Sequence, residues 1–254
     1  MAVTQLPLEI FDKRQCILGE GPVSSGPTHS DIQWVDIEGK KVLSRNLETG
    51  QASEYEVSEH IGFVIPTQSG KNLLGTVSGP VLYDGKEFTH FVSRAEKDEL
   101  PMRWNDAKVD PFGDLWLGSM SYTEEGGHGA LYRLKGASKE LKKFVPGTSI
   151  SNGLAWSKDR RTMYYIDTLN FGVDAFDFSE DGVTNRRMAV SFDTKDGYPM
   201  ECALIPKMDC GLLSITAAPS VATTLAITSR LPTRSKSLQR AQLHVHLLEK
   251  ILIN

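Results

Sequence analysis

The chain has 254 residues, 40% of them hydrophobic and 24% charged, which is an ordinary globular composition with material for one large domain or two small ones. Its net charge of -4 argues against the basic surfaces that nucleic acid or anionic membranes require. No apolar run reaches the roughly eighteen residues of a membrane span, and the first ten residues lack the basic-then-apolar pattern of a secretory signal. The three cysteines, Cys16, Cys202 and Cys210, are too scattered for a disulfide framework, and the last two lack a usual zinc spacing. They read as reduced thiols, so the expectation is a cytoplasmic protein with no membrane or nucleic-acid partner.

In chain order, four segments repeat one pattern, beginning near Gly21, Gly62, Asn105 and Asn152. Each has a small or polar opening, a strand-like run, a turn, and a second strand carrying Trp or another large apolar residue. The third and fourth align most plainly, with residues 105–117 lying over 152–165. Apolar and polar residues alternate at period two and turn at Gly- or Asp-rich steps, which is hairpin chemistry. Further strands are predicted at Ala130–Leu134 and Val173–Phe178. A repeat of roughly 40 to 47 residues with about four strands matches a propeller blade. A β-sandwich with regular hairpins is the alternative. The absence of an amphipathic helix before residue 199 removes the α/β folds.

After Pro199 the composition changes. Every Trp, Tyr and Phe of the chain lies in residues 1–199. Residues 200–254 lack clear period-two strands and are not expected to supply a fifth blade. They are expected to be poorly ordered or locally helical, above all over Gln239–Leu252, and to leave apolar blade faces exposed.

Three motifs carry chemistry. In Leu18-Gly19-Glu20-Gly21-Pro22 the flanking glycines let a ligand approach the Glu20 carboxylate closely, although a Glu on such a turn is often a turn residue only. Met102-Arg103-Trp104-Asn105-Asp106-Ala107-Lys108 crowds Arg, Asn and Asp onto a blade entry, where Arg can grip carboxylate or hydroxyl oxygens. In Ser151-Asn152-Gly153-Leu154, Asn152 stands one repeat after Asn105. Either Asn can also be a turn former that caps its own backbone. Glu20, Asn105 and Asn152 open three blades at matching places, and oxygen ligands of this kind suit calcium, magnesium, manganese or zinc.

Taken in order with Gly113-Asp114-Leu115-Trp116 and Gly129-Ala130-Leu131-Tyr132-Arg133, these blocks resemble the SMP-30/gluconolactonase/regucalcin-like family over residues 9 to 199. The resemblance implies an all-β, six-bladed β-propeller family, here with about four recognisable blades and an atypical C-terminal tail. It implies metal-dependent hydrolysis of sugar lactones, with one divalent ion (calcium, zinc, manganese or magnesium) bound by Glu20 and Asn152. Arg103 and Asn105 would hold the lactone, and Glu124 or Glu125 would add an acidic contact. The alternative reading is a calcium-binding, regucalcin-like regulatory protein without catalysis. The family's third ligand, an Asp in an Asp-Gly-Met block that also acts as base, is expected directly after Pro199. The chain instead reads Met200-Glu201-Cys202. Asp196 and Glu201 are weak substitutes, so activity is expected to be impaired.

The genetic code bears on this break. Read from the third base of the Pro199 codon, codons permitted for Pro199 to Ala218 can spell Asp-Gly-Met-Cys-Ile-Asp-x-Glu-Asp-Gly-Leu-Trp-Ile-Ala. The same frame applied to Leu243–Ile253 yields a sequence like the family's final blade. The reading is that residues from about 200 are an out-of-frame translation, which leaves 1–199 as propeller blades and 200–254 as a non-family tail.

Overall fold

A computed structural model of the chain describes residues 11–25, 30–93, 100–194, 198–204 and 212–217. By contact they divide into two compact units, one of Asp12–Val109 with Gly113–Ile150, the other of Phe11 and Asp110–Phe112 with the described residues from Ser151 onward.

The first unit holds three sheets of four antiparallel strands, each a simple meander. Blade 1 is β1 (Gly19–Ser25), β2 (Asp31–Asp36), β3 (Lys41–Asn46) and β4 (Ala52–Glu56). Blade 2 is β5 (Ile61–Pro66), β6 (Asn72–Thr76), β7 (Gly79–Tyr83) and β8 (Phe88–His90). Blade 3 is β9 (Met102–Val109), β10 (Leu115–Ser121), β11 (Gly129–Lys135) and β12 (Glu140–Thr148). The first strands are neighbours, with β5 packed against both β1 and β9. The second unit holds blade 4, of β13 (Ser151–Trp156), β14 (Thr162–Asp167), β15 (Gly172–Ser179) and β16 (Gly182–Ser191). It also holds a two-stranded ladder of β17 (Tyr198–Leu204) and β18 (Leu212–Ala217), with β17 packed on β13. A single 3-10 turn, Thr168–Asn170, follows β14. Among the described residues no helix is long and apolar enough to cross a membrane.

The four segments read from the repeat all open on first strands, so the all-β blade architecture is as expected. The β17–β18 ladder is not. It runs across residue 200, into the stretch from which no blade strand was expected. β17 begins inside the aromatic-rich region at Tyr198, whose ring centroid lies 5.4 Å from that of Phe171, and β18 carries the β-branched Ile215 and Thr216. The helix expected over Gln239–Leu252 lies outside the described residues.

Burial is graded across each blade. All of β10 is buried, whereas the fourth strands β4, β8 and β16 are largely exposed. Blades 1 and 2 close on Val35, Val42, Ile61, Val64 and Leu74. Blades 2 and 3 close on Phe63, Leu73, Trp104, Leu117, Tyr132 and Leu134. Trp104 is fully buried and meets Tyr132 edge to face, with ring centroids 5.4 Å apart. Full burial of a large apolar side chain contributes about 1.5–3 kcal/mol, which explains why the period-two pattern dominates the choice of structure.

Candidate functional site

Each first strand carries a β-bulge at the same place. Glu20 pairs with Val35 and Val23 with Gln33, so Gly21 and Pro22 together face Trp34. Gly62 and Phe63 face Gly75 in blade 2. Asn105 and Asp106 face Gly118 in blade 3, and Asn152 and Gly153 face Ile166 in blade 4. A bulge breaks strict alternation and re-aims the side chains it carries. Asn105 and Asn152 are both the first bulged residue of their strand, as the repeat alignment expects. Glu20 is the last paired residue before its bulge, one step out of strict equivalence.

In the first unit the site is built around Arg103, which is 9% exposed. Its Nη1 donates to Asn105 Oδ1 at 2.6 Å and to the Trp104 carbonyl at 3.2 Å. The acceptor end of the Asn105 amide is thus held by Arg103, which orients its amino end. Burial pushes the Arg103 guanidinium below its ordinary pKa, and Tyr122, Glu20, Glu124 and Glu38 lie close enough to oppose that shift. Glu20 Oε2 accepts from the Gly21 amide at 3.3 Å. Glu124 sits in a left-handed conformation with φ of 57° and donates its amide to the Ser121 carbonyl at 3.1 Å. Glu125 instead faces His128, 3.9 Å away, on the exposed surface. Of the two acids the sequence left open, Glu124 is among the charges that oppose the Arg103 shift, whereas Glu125 pairs with His128.

In the second unit Asn152 is buried, and its Nδ2 donates to Thr168 Oγ1 at 2.9 Å. Thr168 Oγ1 donates onward to the Pro199 carbonyl at 2.9 Å. A hydroxyl has one proton to give, so the relay has a fixed direction and turns the Asn152 carbonyl oxygen to the opposite end of the amide. Beside it the Tyr165 hydroxyl donates to Ser151 Oγ at 2.7 Å.

The Glu20 carboxylate and the oriented Asn152 carbonyl fit a hard divalent cation in donor type. Among the described residues no group of three His, Cys, Asp or Glu is arranged to hold a metal. Asp196 lies outside the described residues, and Glu201 is placed by its backbone in β17. The sequence reading missed Thr168, which bonds Asn152 and Pro199, and Tyr122, whose hydroxyl lies 2.8 Å from His60 Nδ1. Their partners are distant in the chain, and no local motif marks them.

Comparison with known proteins bears on this geometry. Residues 18–202 match the family model described as "SMP-30/Gluconolactonase/LRE-like region". Regucalcin of Danio rerio is 34% identical over 209 residues, which cover 78% of this chain and 68% of that protein. A solved luciferin-regenerating enzyme superposes with a TM-score of 0.72 at 26% identity, covering 79% of this chain and 69% of that one. A calcium-binding regucalcin from Agrobacterium tumefaciens gives a TM-score of 0.75 at 20% identity, with 83% and 71% covered, a likeness of fold.

Proposed function

As the chain belongs to the SMP-30/gluconolactonase/LRE-like family, we propose that it binds sugar lactones and opens them by hydrolysis with one bound divalent metal ion. The observation that carries the reading is the buried Arg103 hydrogen-bonded at 2.6 Å to the half-buried Asn105, with Glu20 and Glu124 acting on the guanidinium. A buried arginine pre-oriented by a carboxamide presents fixed donors to sugar hydroxyls or a lactone oxygen at little cost in side-chain entropy. Asn105 adds its amino group, and Glu124 accepts from a hydroxyl. On the family resemblance Glu20 and Asn152 would each be a metal ligand, and the Thr168–Pro199 relay fixes the Asn152 amide. When bound, the metal supplies polarisation of the ester carbonyl and a lowered pKa for water.

A base is still needed to take the proton from water. The family's aspartate is replaced after Pro199 by Met200 and Glu201, so turnover is expected to fall well below that of a complete relative. The test is opening of gluconolactone, followed by acid release, with calcium, zinc, manganese or magnesium added singly. Arg103→Met is expected to lower kcat/KM by roughly a hundredfold, which is about 2.7 kcal/mol of transition-state binding. Turnover untouched by that change would sink the proposal. The second reading, calcium binding without catalysis, is favoured by relatives named regucalcin. Calcium binding by calorimetry, with no lactone opening under any metal, would establish it.

A further inference from the structure

Within the first unit, a cleft of about 330 Å³ lies between the turns of three blades. Lys40 comes from the β2–β3 turn, Ser58, Glu59 and His60 from the segment before β5, Ser78 from the β6–β7 turn, and Tyr122 from the end of β10. Its size falls within the roughly 300–1,000 Å³ of small-molecule sites.

The polar groups of the cleft are fixed. Glu59 accepts from the Ser78 amide and the Ser78 hydroxyl, both at 2.8 Å. His60 Nδ1 lies 2.8 Å from the Tyr122 hydroxyl, and the two rings are tilted at 56° with centroids 5.5 Å apart. Lys40 Nζ donates to the Ser58 carbonyl at 3.4 Å. The Tyr122 amide donates to the Pro101 carbonyl at 3.1 Å, and Met120 pairs with Arg103 across the β9–β10 ladder, so the cleft lies beside the strand that carries Arg103.

The lining decides the ligand class. Lys40 and Glu59 bring both signs of charge, so an anion is not selected. Val77 is the one aliphatic lining residue, so a purely apolar group is not selected either. An aromatic ring 39% exposed, beside an immobilised carboxylate, an ammonium and hydroxyls, suits a neutral ring rich in hydroxyls. The C–H face of such a ring lies on the tyrosine, while its hydroxyls donate to Glu59 and accept from Lys40.

We propose that this cleft is an outer subsite for the second sugar ring of a disaccharide aldonolactone whose lactone end is held at Arg103. The proposal rests on the reading of Arg103 as a sugar-lactone contact and names the substrate class. It can be tested without turnover, by calorimetric titration of the full chain with gluconate, lactobionate and 6-phosphogluconate. Lactobionate carries a galactosyl ring on gluconate, and 6-phosphogluconate carries an anion instead. Lactobionate is expected to bind about tenfold more tightly than gluconate, with no comparable gain for 6-phosphogluconate. His60→Ala and Tyr122→Ala are expected to cut that ratio to below about threefold, and Tyr122→Phe, which keeps the ring, to retain part of it. Thermal melts of each variant report folding separately. Equal binding of gluconate and lactobionate, no binding of either, a preference for 6-phosphogluconate, or a ratio that survives all three changes would overturn the subsite. Lactobionate preference without any lactone opening would uphold the subsite and overturn the hydrolase reading instead.

Discussion

In blade 2 the bulged residues are Gly62 and Phe63, and in blade 3 they are Asn105 and Asp106. A Cβ on Gly62 would lie 2.2 Å from the Trp104 carbonyl oxygen, so the missing side chain is what lets β5 and β9 close. The Phe63 ring occupies space that a Cβ on Gly75 would enter at 2.3 Å. Blade 2 therefore turns its bulge wholly to packing. In blade 3 the same irregularity points Asn105 at Arg103 and lets Asp106 Oδ1 accept from the Ala107 amide at 2.8 Å. The backbone offers one device in every blade, and blades 2 and 3 turn it to different uses, apolar packing in one and polar side-chain contacts in the other.

The comparison can be broken at several points. The largest effect is expected from Trp104→Ala, the residue both blades share, which should cost about 3–5 kcal/mol in urea unfolding. A loss under about 1 kcal/mol would mean that Trp104 does not anchor this core. Gly62→Ala comes next, at about 1–3 kcal/mol, because backbone rather than a flexible side chain stands in the way. Gly136→Ala, with nothing within 4 Å of the added carbon, should stay within about 0.5 kcal/mol and serves as its control. Equal costs for the two glycines would refute close approach as the role of Gly62.

Blade 4 extends the comparison to a bulge supported by a relay. Thr168→Val keeps the side chain's shape and removes both of its hydrogen bonds, for a stability cost of about 1 kcal/mol. The specific readout is metal affinity, expected to fall roughly 10- to 100-fold once Asn152 loses its fixed orientation. Unchanged affinity with the stability loss would show the relay to be structural only. The family match ends at residue 202, close to where the composition breaks. A DNA read across the Pro199 codon is expected to show that one inserted or deleted base restores an Asp-Gly-Met block, and failure to find it would refute the frame-shift reading.

The all-β blade architecture and the four repeat openings near Gly21, Gly62, Asn105 and Asn152 were legible in the sequence. Period-two alternation and turn residues act over a few neighbours, and the site motifs sit beside those turns. The choice between Glu124 and Glu125 was not legible, because adjacent acids differ only in where the chain turns them. Nor were the contacts of His60 with Tyr122, 62 residues apart, or of Thr168 with Pro199, 31 apart. Local pattern thus determined that this protein is made of blades and which strand openings carry polar side chains. Tertiary packing decided which of those openings are core, which amide is held in a fixed orientation, and that a polar cleft lies beside the strand that carries Arg103. Those are properties of contacts between blades, and no single repeat contains them.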